Sequence, residues 1–148
     1  ILTPSIVISR ILADNPSFTV LVTGGVVRRG EYSLTGDLTA SSLMQFHVDK
    51  AFLGIAGVSA ETGLTEYNME DATVKKAIVE TARETIVLAD SGKFGRTALC
   101  RVAGFESIQT LVTEAPPSAI LSNALSAGGV SVVVAQDMRQ RITQGANG

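Results

Sequence analysis

Short apolar runs alternate along this chain with segments whose apolar residues recur every three or four positions. Short runs rich in Val, Ile and Leu are typical of buried strands, whereas the three-and-four spacing indicates amphipathic helices. Strands are predicted at residues 18–22, 51–55, 85–89, 108–112 and 130–135. Helices are predicted at residues 5–13, 38–46, 69–83 and 118–127. The remaining stretches are predicted as a strand or extended loop at 26–34, a loop at 61–65, and a short helix or irregular chain at 97–103.

This order of helices and strands predicts an α/β fold with a mostly parallel sheet, right-handed crossovers, and helices on both faces in three layers. The composition agrees, because hydrophobic residues make up 45% of the chain, aromatic residues 5%, and Trp is absent. A core of Val, Ile, Leu and Ala is typical of strands that are buried beneath helices. A chain of 148 residues can bury such a core as one domain.

Polar or glycine-rich residues follow the predicted strands where each strand ends. The most informative example is the strand at 85–89, which ends in Asp90-Ser91-Gly92-Lys93. Because the carboxyl ends of parallel strands share one sheet edge, this stretch should converge with residues 23–25, 54–57 and 113–114. We therefore predict an anion-binding pocket at that edge. A solvated turn with a surface lysine also fits residues 90–93 taken alone.

The helix predicted at 69–83 carries a second group of charged residues near its start. Asn68 can cap this helix, and Glu70 and Asp71 in its first turn suit the positive end of the helix dipole. Lys75 follows Asp71 by four residues, so the two can form an ion pair on the helix surface. Capping and ion pairing therefore compete with a binding role for Asp71 and Lys75.

Charge and residue usage exclude several kinds of protein. The net charge of −2 and the pI of about 5.3 do not predict a nucleic-acid-binding face on this chain. The single cysteine, Cys100, excludes an internal disulfide and a cysteine-rich zinc site, and His47 is the only histidine. No apolar run is long enough to span a membrane, and the first residues lack the basic region of a signal peptide. We predict a cytoplasmic location and expect neither a metal nor a cofactor.

With these residues placed, the chain resembles the effector-binding domain of DeoR-family transcriptional repressors. The resemblance extends from about residue 3 to residue 134 and rests on five blocks in the order and approximate spacing of the family. The blocks are TGGVVR at 23–28, SLTG at 33–36, DKAFLGIAG at 49–57, GLTEYNMEDATVKKA at 63–77 and LADSGKFG at 88–95. Gly92 is a departure, because the family more often has serine there.

The resemblance implies the fold of the ribose-5-phosphate isomerase, glucosamine-6-phosphate deaminase and CoA-transferase group. It also implies that residues 1–136 are a sensor for a phosphorylated sugar or related metabolite, followed by a polar tail at 137–148. Ile1 and Leu2 look like the tail of a strand, so we expect a fragment. The first strand of the family, with its phosphate-holding loop, and the N-terminal helix-turn-helix domain are expected to be missing. Operator DNA would be bound through that missing domain, in a repressor that is a homo-oligomer.

Transferred residue by residue, the resemblance implies ten effector-binding residues. They are Gly24, Gly25, Arg28, Asp49, Gly54, Gly57, Asp71, Lys75, Asp90 and Lys93. In this arrangement Asp49 and residues 54–57 form one wall, and Lys93 supplies a point charge for the anionic ligand. No catalytic residue is expected.

Two other functions compete with the sensor interpretation. A sugar-phosphate isomerase or deaminase of the same fold needs a carboxylate base, for which Asp71 is a candidate. The single histidine and the missing phosphate loop argue against this enzyme. A structural or oligomerisation module with an empty cleft is the third possibility.

Overall fold

The computed structural model describes residues 1–135. Its strands are β1 (Leu2–Thr3), β2 (Leu21–Val22), β3 (Val26–Arg28), β4 (Ser33–Thr35), β5 (Val48–Gly54), β6 (Gly57–Ser59), β7 (Gly63–Glu66), β8 (Ala82–Leu88), β9 (Cys100–Ala103), β10 (Thr110–Thr113) and β11 (Ser131–Val134). Its α-helices are α1 (Ile6–Ala13), α2 (Asp37–Leu43), α3 (Met69–Thr81) and α4 (Ala119–Ala127). Single 3-10 turns lie at Ser91–Lys93 and Phe105–Ser107.

The main sheet has the strand order β11-β10-β8-β5, and all of its pairs are parallel. This confirms the predicted α/β class with a mostly parallel sheet. Buried residues alternate along the strands, so that Leu53, Val87 and Leu111 lie in register on one face, where they join the main core. The opposite face is more open, because Phe52 is 66% exposed and Leu88 is 45% exposed.

The helices begin where local sequence provides a cap. Ser5, Asn68 and Ser118 each accept a hydrogen bond from a backbone N–H in the first turn of α1, α3 and α4. α2 is the exception, because Gly36 occupies its N-cap position and supplies no side chain. None of the helices within residues 1–135 is long and apolar enough to cross a membrane.

Two stretches without a clear periodic pattern supply β7 and β9, which form a separate antiparallel sheet with β6 in the order β6-β7-β9. The loop predicted at 61–65 was wrong in its second half, where β7 is buried along its whole length. The helical or irregular segment predicted at 97–103 was also wrong in its second half, where β9 pairs with β7. Both strands depend on partners distant in sequence. The polar tail predicted at 137–148 lies outside the described residues.

Candidate functional site

Three of the four predicted strand ends meet at the carboxyl edge of the main sheet. The register places Gly54 beside Leu88 and Leu88 beside Val112, so residues 55, 89 and 113 lie side by side at this end of the sheet. The fourth end, after Val22, belongs to a different sheet, because β2 pairs only with β1 within residues 1–135. The predicted single edge is therefore divided between two sheets.

Glu114 holds the 90–93 turn against the end of β10. Its carboxylate accepts hydrogen bonds from the Ser91 backbone N–H at 2.9 and 3.0 Å, from the Ser91 hydroxyl, and from Thr113 Oγ1 at 3.2 Å. The turn is closed by the Lys93 N–H, which donates to the Asp90 carbonyl at 2.9 Å. The sequence placed Glu114 at this edge but did not identify it as the residue that orients the turn.

These hydrogen bonds lower the pKa of the Glu114 carboxyl group. The Ser91 hydroxyl, and after it the Ser91 backbone N–H, lower the pKa of Glu114 from 4.5 to about 2. Because the folded-state pKa of Glu114 is depressed, its contribution to the free energy of unfolding is complete above pH 4.5 and is lost as the pH falls toward 2.

We expect an NMR titration of the Glu114 side-chain carboxyl to give a midpoint near 2 in the native chain, and Ser91→Ala to move this midpoint toward 4.5. A native midpoint near 4.5 would show that the turn is not held in this way.

A second polar group lies at the start of α3. The Asp71 N–H donates to Asn68 Oδ1 at 3.0 Å, as expected for the cap. The buried Asp71 carboxylate forms an ion pair with Arg28 from β3, and the same Arg28 nitrogen lies 3.1 Å from Glu31. Arg28 and Asp71, both predicted as effector-binding residues, are thus in direct contact and neutralise each other.

Lys75 pairs with Glu66 rather than with Asp71. Glu66 is only 7% exposed, and its carboxylate accepts from Lys75 Nζ and from the Tyr67 backbone N–H. The ion pair predicted between Asp71 and Lys75 is therefore absent, because each residue has a partner outside α3. Glu66 was missed because residues 61–65 were predicted as a loop, which gave no reason to expect a buried carboxylate beside it.

The glycines of the predicted site differ in their surroundings. Thr39 Oγ1 donates to the Gly24 carbonyl at 2.7 Å and to the Thr35 carbonyl at 3.1 Å, which joins the end of β2 to α2. Gly25 has a φ of +132°, and a Cβ there would lie 2.0 Å from Thr39 Oγ1. A Cβ at Gly57 would lie 2.5 Å from the Arg96 carbonyl oxygen. Gly25 and Gly57 are thus required for packing, whether or not they also face a ligand.

Asp49 does not lie with residues 54–57. It is the second residue of β5, whereas Gly54 is the last, so the two are about 16 Å apart along the strand. The predicted wall formed by Asp49 and the glycines is therefore wrong in its geometry. Gly54 is exposed at the carboxyl edge with open space around it, and Asp49 lines a groove of about 750 Å³ between β1 and β5.

A known protein family matches most of this chain. The family described as the DeoR C terminal sensor domain matches residues 1–115. The chain belongs to this family. The match covers both halves of the edge described above, from the glycines after β2 to Glu114. The resemblance inferred from the five sequence blocks is confirmed.

Curated relatives of this DeoR sensor domain are named as regulators. The HTH-type transcriptional repressor GlcR of Bacillus subtilis is 31% identical over 92% of this chain and 52% of its own length. The glycerol-3-phosphate regulon repressor of Haemophilus influenzae is 31% identical over 82% of this chain and 48% of its own length. The chain therefore spans about half the length of these relatives.

The family to which the chain belongs is described as a sensor domain, and the relatives are named as regulators. The family description and the names of its relatives agree on regulation. The arrangement of Asp71 fits this assignment, because a catalytic base must be able to reach a substrate proton. Here the Asp71 carboxylate is buried and paired with Arg28.

Proposed function

We propose that this domain binds a phosphorylated sugar or related metabolite at the carboxyl edge of the main sheet. Occupancy of this site would control operator binding by a helix-turn-helix domain of the full-length protein. We keep the ten residues inferred from the sequence as the proposed effector-binding residues. Asp49 is one of them, although it lies at the far end of β5. Such switching requires that the ligand bind one arrangement of the protein better than another.

The position of Lys93 is the observation that supports an anionic ligand best. Of the three cations in the predicted site, Arg28 is paired with Asp71 and Lys75 with Glu66. Among residues 1–135, Lys93 makes no ion pair, and its turn is held in place by Glu114. A lysine on an ordered turn at the carboxyl end of parallel strands is suited to attract a phosphate.

The names of the relatives support the ligand class and the partner. One is named for the regulon of glycerol-3-phosphate, which is a phosphorylated three-carbon compound, and another is named as an HTH-type repressor. A repressor that acts on operator DNA would work in the cytoplasm. Its DNA contacts would come from the part of the relatives' length that this chain does not span.

Self-association is the remaining part of the proposal. Apolar side chains on α1 and on the β3–β4 hairpin are exposed, among them Val7, Ile11, Val26 and Tyr32. Exposed apolar clusters of this kind mark interaction surfaces more often than isolated apolar residues do. We therefore propose a homo-oligomer, which sedimentation of the full-length repressor would reveal.

The ligand site is tested by thermal shift with a panel of sugar phosphates and the matching unphosphorylated sugars. At a hundredfold excess over Kd, a ligand of the native state adds about 2.7 kcal/mol, which raises Tm by roughly 5–10 °C. We expect Lys93→Ala to remove most of this rise. Lys76→Ala, a charge loss at an exposed position on α3, serves as the control and should retain it. Equal ligand responses in both variants would overturn the placement of the site at Lys93.

A further inference from the structure

The segment at residues 93–98 follows the turn that Glu114 holds, and it carries two cations, Lys93 and Arg96. The Arg96 N–H donates to the Lys93 carbonyl at 3.3 Å, which closes a turn between the two residues. A turn of this kind keeps its first and last Cα atoms within about 7 Å of each other. The two long cationic side chains therefore share one small region of the surface.

This segment lies against the start of β6, directly after the turn that follows β5. Phe94 forms a parallel bridge with Val58, and the Gly95 N–H donates to the Val58 carbonyl at 2.8 Å. A Cβ at Gly57 would lie 2.5 Å from the Arg96 carbonyl oxygen, so the glycine leaves room for the Arg96 main chain. Arg96 is thus located beside the turn that follows β5, at the carboxyl edge of the main sheet.

Further contacts hold the main chain of this segment in place. The Ala98 N–H donates to Thr65 Oγ1 at 2.9 Å. The hydroxyl oxygens of Thr97 and Thr62 lie 3.0 Å apart in a hydrogen bond. The Phe94 side chain packs against the main core. The backbone that carries both cations is therefore preorganised, which lowers the entropy cost of binding a ligand there.

Neither of these cations is neutralised within residues 1–135. None of the four ion pairs in that range includes Lys93 or Arg96. The neighbouring Glu114 carboxylate accepts hydrogen bonds from Ser91 and Thr113 instead. Two like charges held close together repel each other, and an anion between them relieves that repulsion. The pair is therefore suited to an anion that carries more than one charge.

We propose that Arg96 is a second phosphate-binding residue, which acts with Lys93 on the phosphate group of the effector. The planar guanidinium can donate two parallel hydrogen bonds to phosphate oxygens, whereas the Lys93 ammonium supplies a point charge. A phosphate ester carries a charge of about −1.5 to −2 at neutral pH. Two cations match this charge, so the pair selects phosphate esters over sugar acids, which carry one negative charge. This inference rests on the proposed function, because it assigns a further residue to the same site.

Calorimetric titration of the full-length protein tests this assignment. The probe is the sugar phosphate of the thermal-shift panel that raises Tm most. We expect Arg96→Gln to raise its Kd by about 10- to 100-fold, because a charged hydrogen-bond donor to the phosphate is lost. Arg83→Gln is the matched control, since Arg83 is exposed, lies at the amino end of β8, and makes no ion pair among the described residues. Its Kd should stay within about twofold of the native value.

The unliganded protein separates a ligand contact from a structural role of Arg96. Because Arg96 is exposed, Arg96→Gln should change the Tm without ligand by less than about 2 °C. A larger fall would show that Arg96 stabilises the fold, and it would overturn the assignment. Equal Kd values for Arg96→Gln and Arg83→Gln, with binding lost in Lys93→Ala, would also overturn it and leave the proposed function intact. A native protein that responds to no sugar phosphate would overturn the proposed function, and this assignment with it.

Discussion

Replacing Gly25 with alanine is expected to destabilise the domain by about 3 kcal/mol or more, from strain and steric overlap together. The backbone φ of +132° is one that L-residues rarely adopt, and the added Cβ would lie 2.0 Å from Thr39 Oγ1 and 2.7 Å from the Thr35 carbonyl oxygen. The hydroxyl can rotate away, but the carbonyl belongs to the backbone and cannot yield without moving β4. Chemical denaturation of the purified variant measures the loss.

Gly30→Ala is the matched control for this experiment. Gly30 also has a positive φ, +86°, but open space surrounds the position of its missing Cβ. Gly30→Ala should lower the free energy of unfolding only through backbone strain, by about 1–2 kcal/mol. If Gly25→Ala cost no more than Gly30→Ala, the close packing of the β2 end against α2 would be contradicted, and a ligand role would become the better reason for that glycine.

Lys75→Met is expected to cost about 3 kcal/mol, because it leaves the Glu66 carboxylate buried without its cation. Glu66 is 7% exposed and, among residues 1–135, retains only the Tyr67 backbone N–H as a hydrogen-bond donor. Methionine preserves most of the length and apolar stem of lysine, so the lost charge dominates the effect. The expected fall in Tm is roughly 6–12 °C at neutral pH.

The double variant Glu66→Gln, Lys75→Met separates this charge effect from a packing effect. Glutamine removes the buried charge and can still accept from the Tyr67 N–H, so the double variant should be more stable than Lys75→Met alone. A double variant less stable than either single variant would contradict the ion-pair explanation. Repeating the thermal shift with sugar phosphates on the double variant also asks whether Lys75 contacts the ligand.

Elements with a strong local signal were predicted correctly. The helix at residues 69–83 has a regular apolar spacing and an asparagine cap, and the structure contains it as α3 with Asn68 capping. The helix at 118–127 was predicted for similar reasons and is α4. The strand at 85–89 ends in a polar turn, and the structure places that turn at the carboxyl edge of a parallel sheet. Periodicity and capping are local properties, which is why a single sequence reveals them.

The sequence identified the charged residues of the site but not their ion-pair partners. Asp71 and Lys75 are four apart on one helix, which predicted an ion pair between them. In the structure, Asp71 forms an ion pair with Arg28 on β3, and Lys75 forms one with Glu66 on β7. Which partner a side chain finds depends on the approach of distant strands, and nothing in the spacing of one helix encodes that approach.

Hydrophobic periodicity and the residues at strand ends were enough to establish the α/β class, the main helices, and the group of polar residues from Asp90 to Glu114. The tertiary structure decided which glycines are required by packing, which cations are already neutralised, and that Asp49 lies at the far end of β5. It also revealed the groove between β1 and β5. The reason is physical: a period along the chain reports which residues face inward, whereas contacts between strands remote in sequence arise only when the sheet assembles.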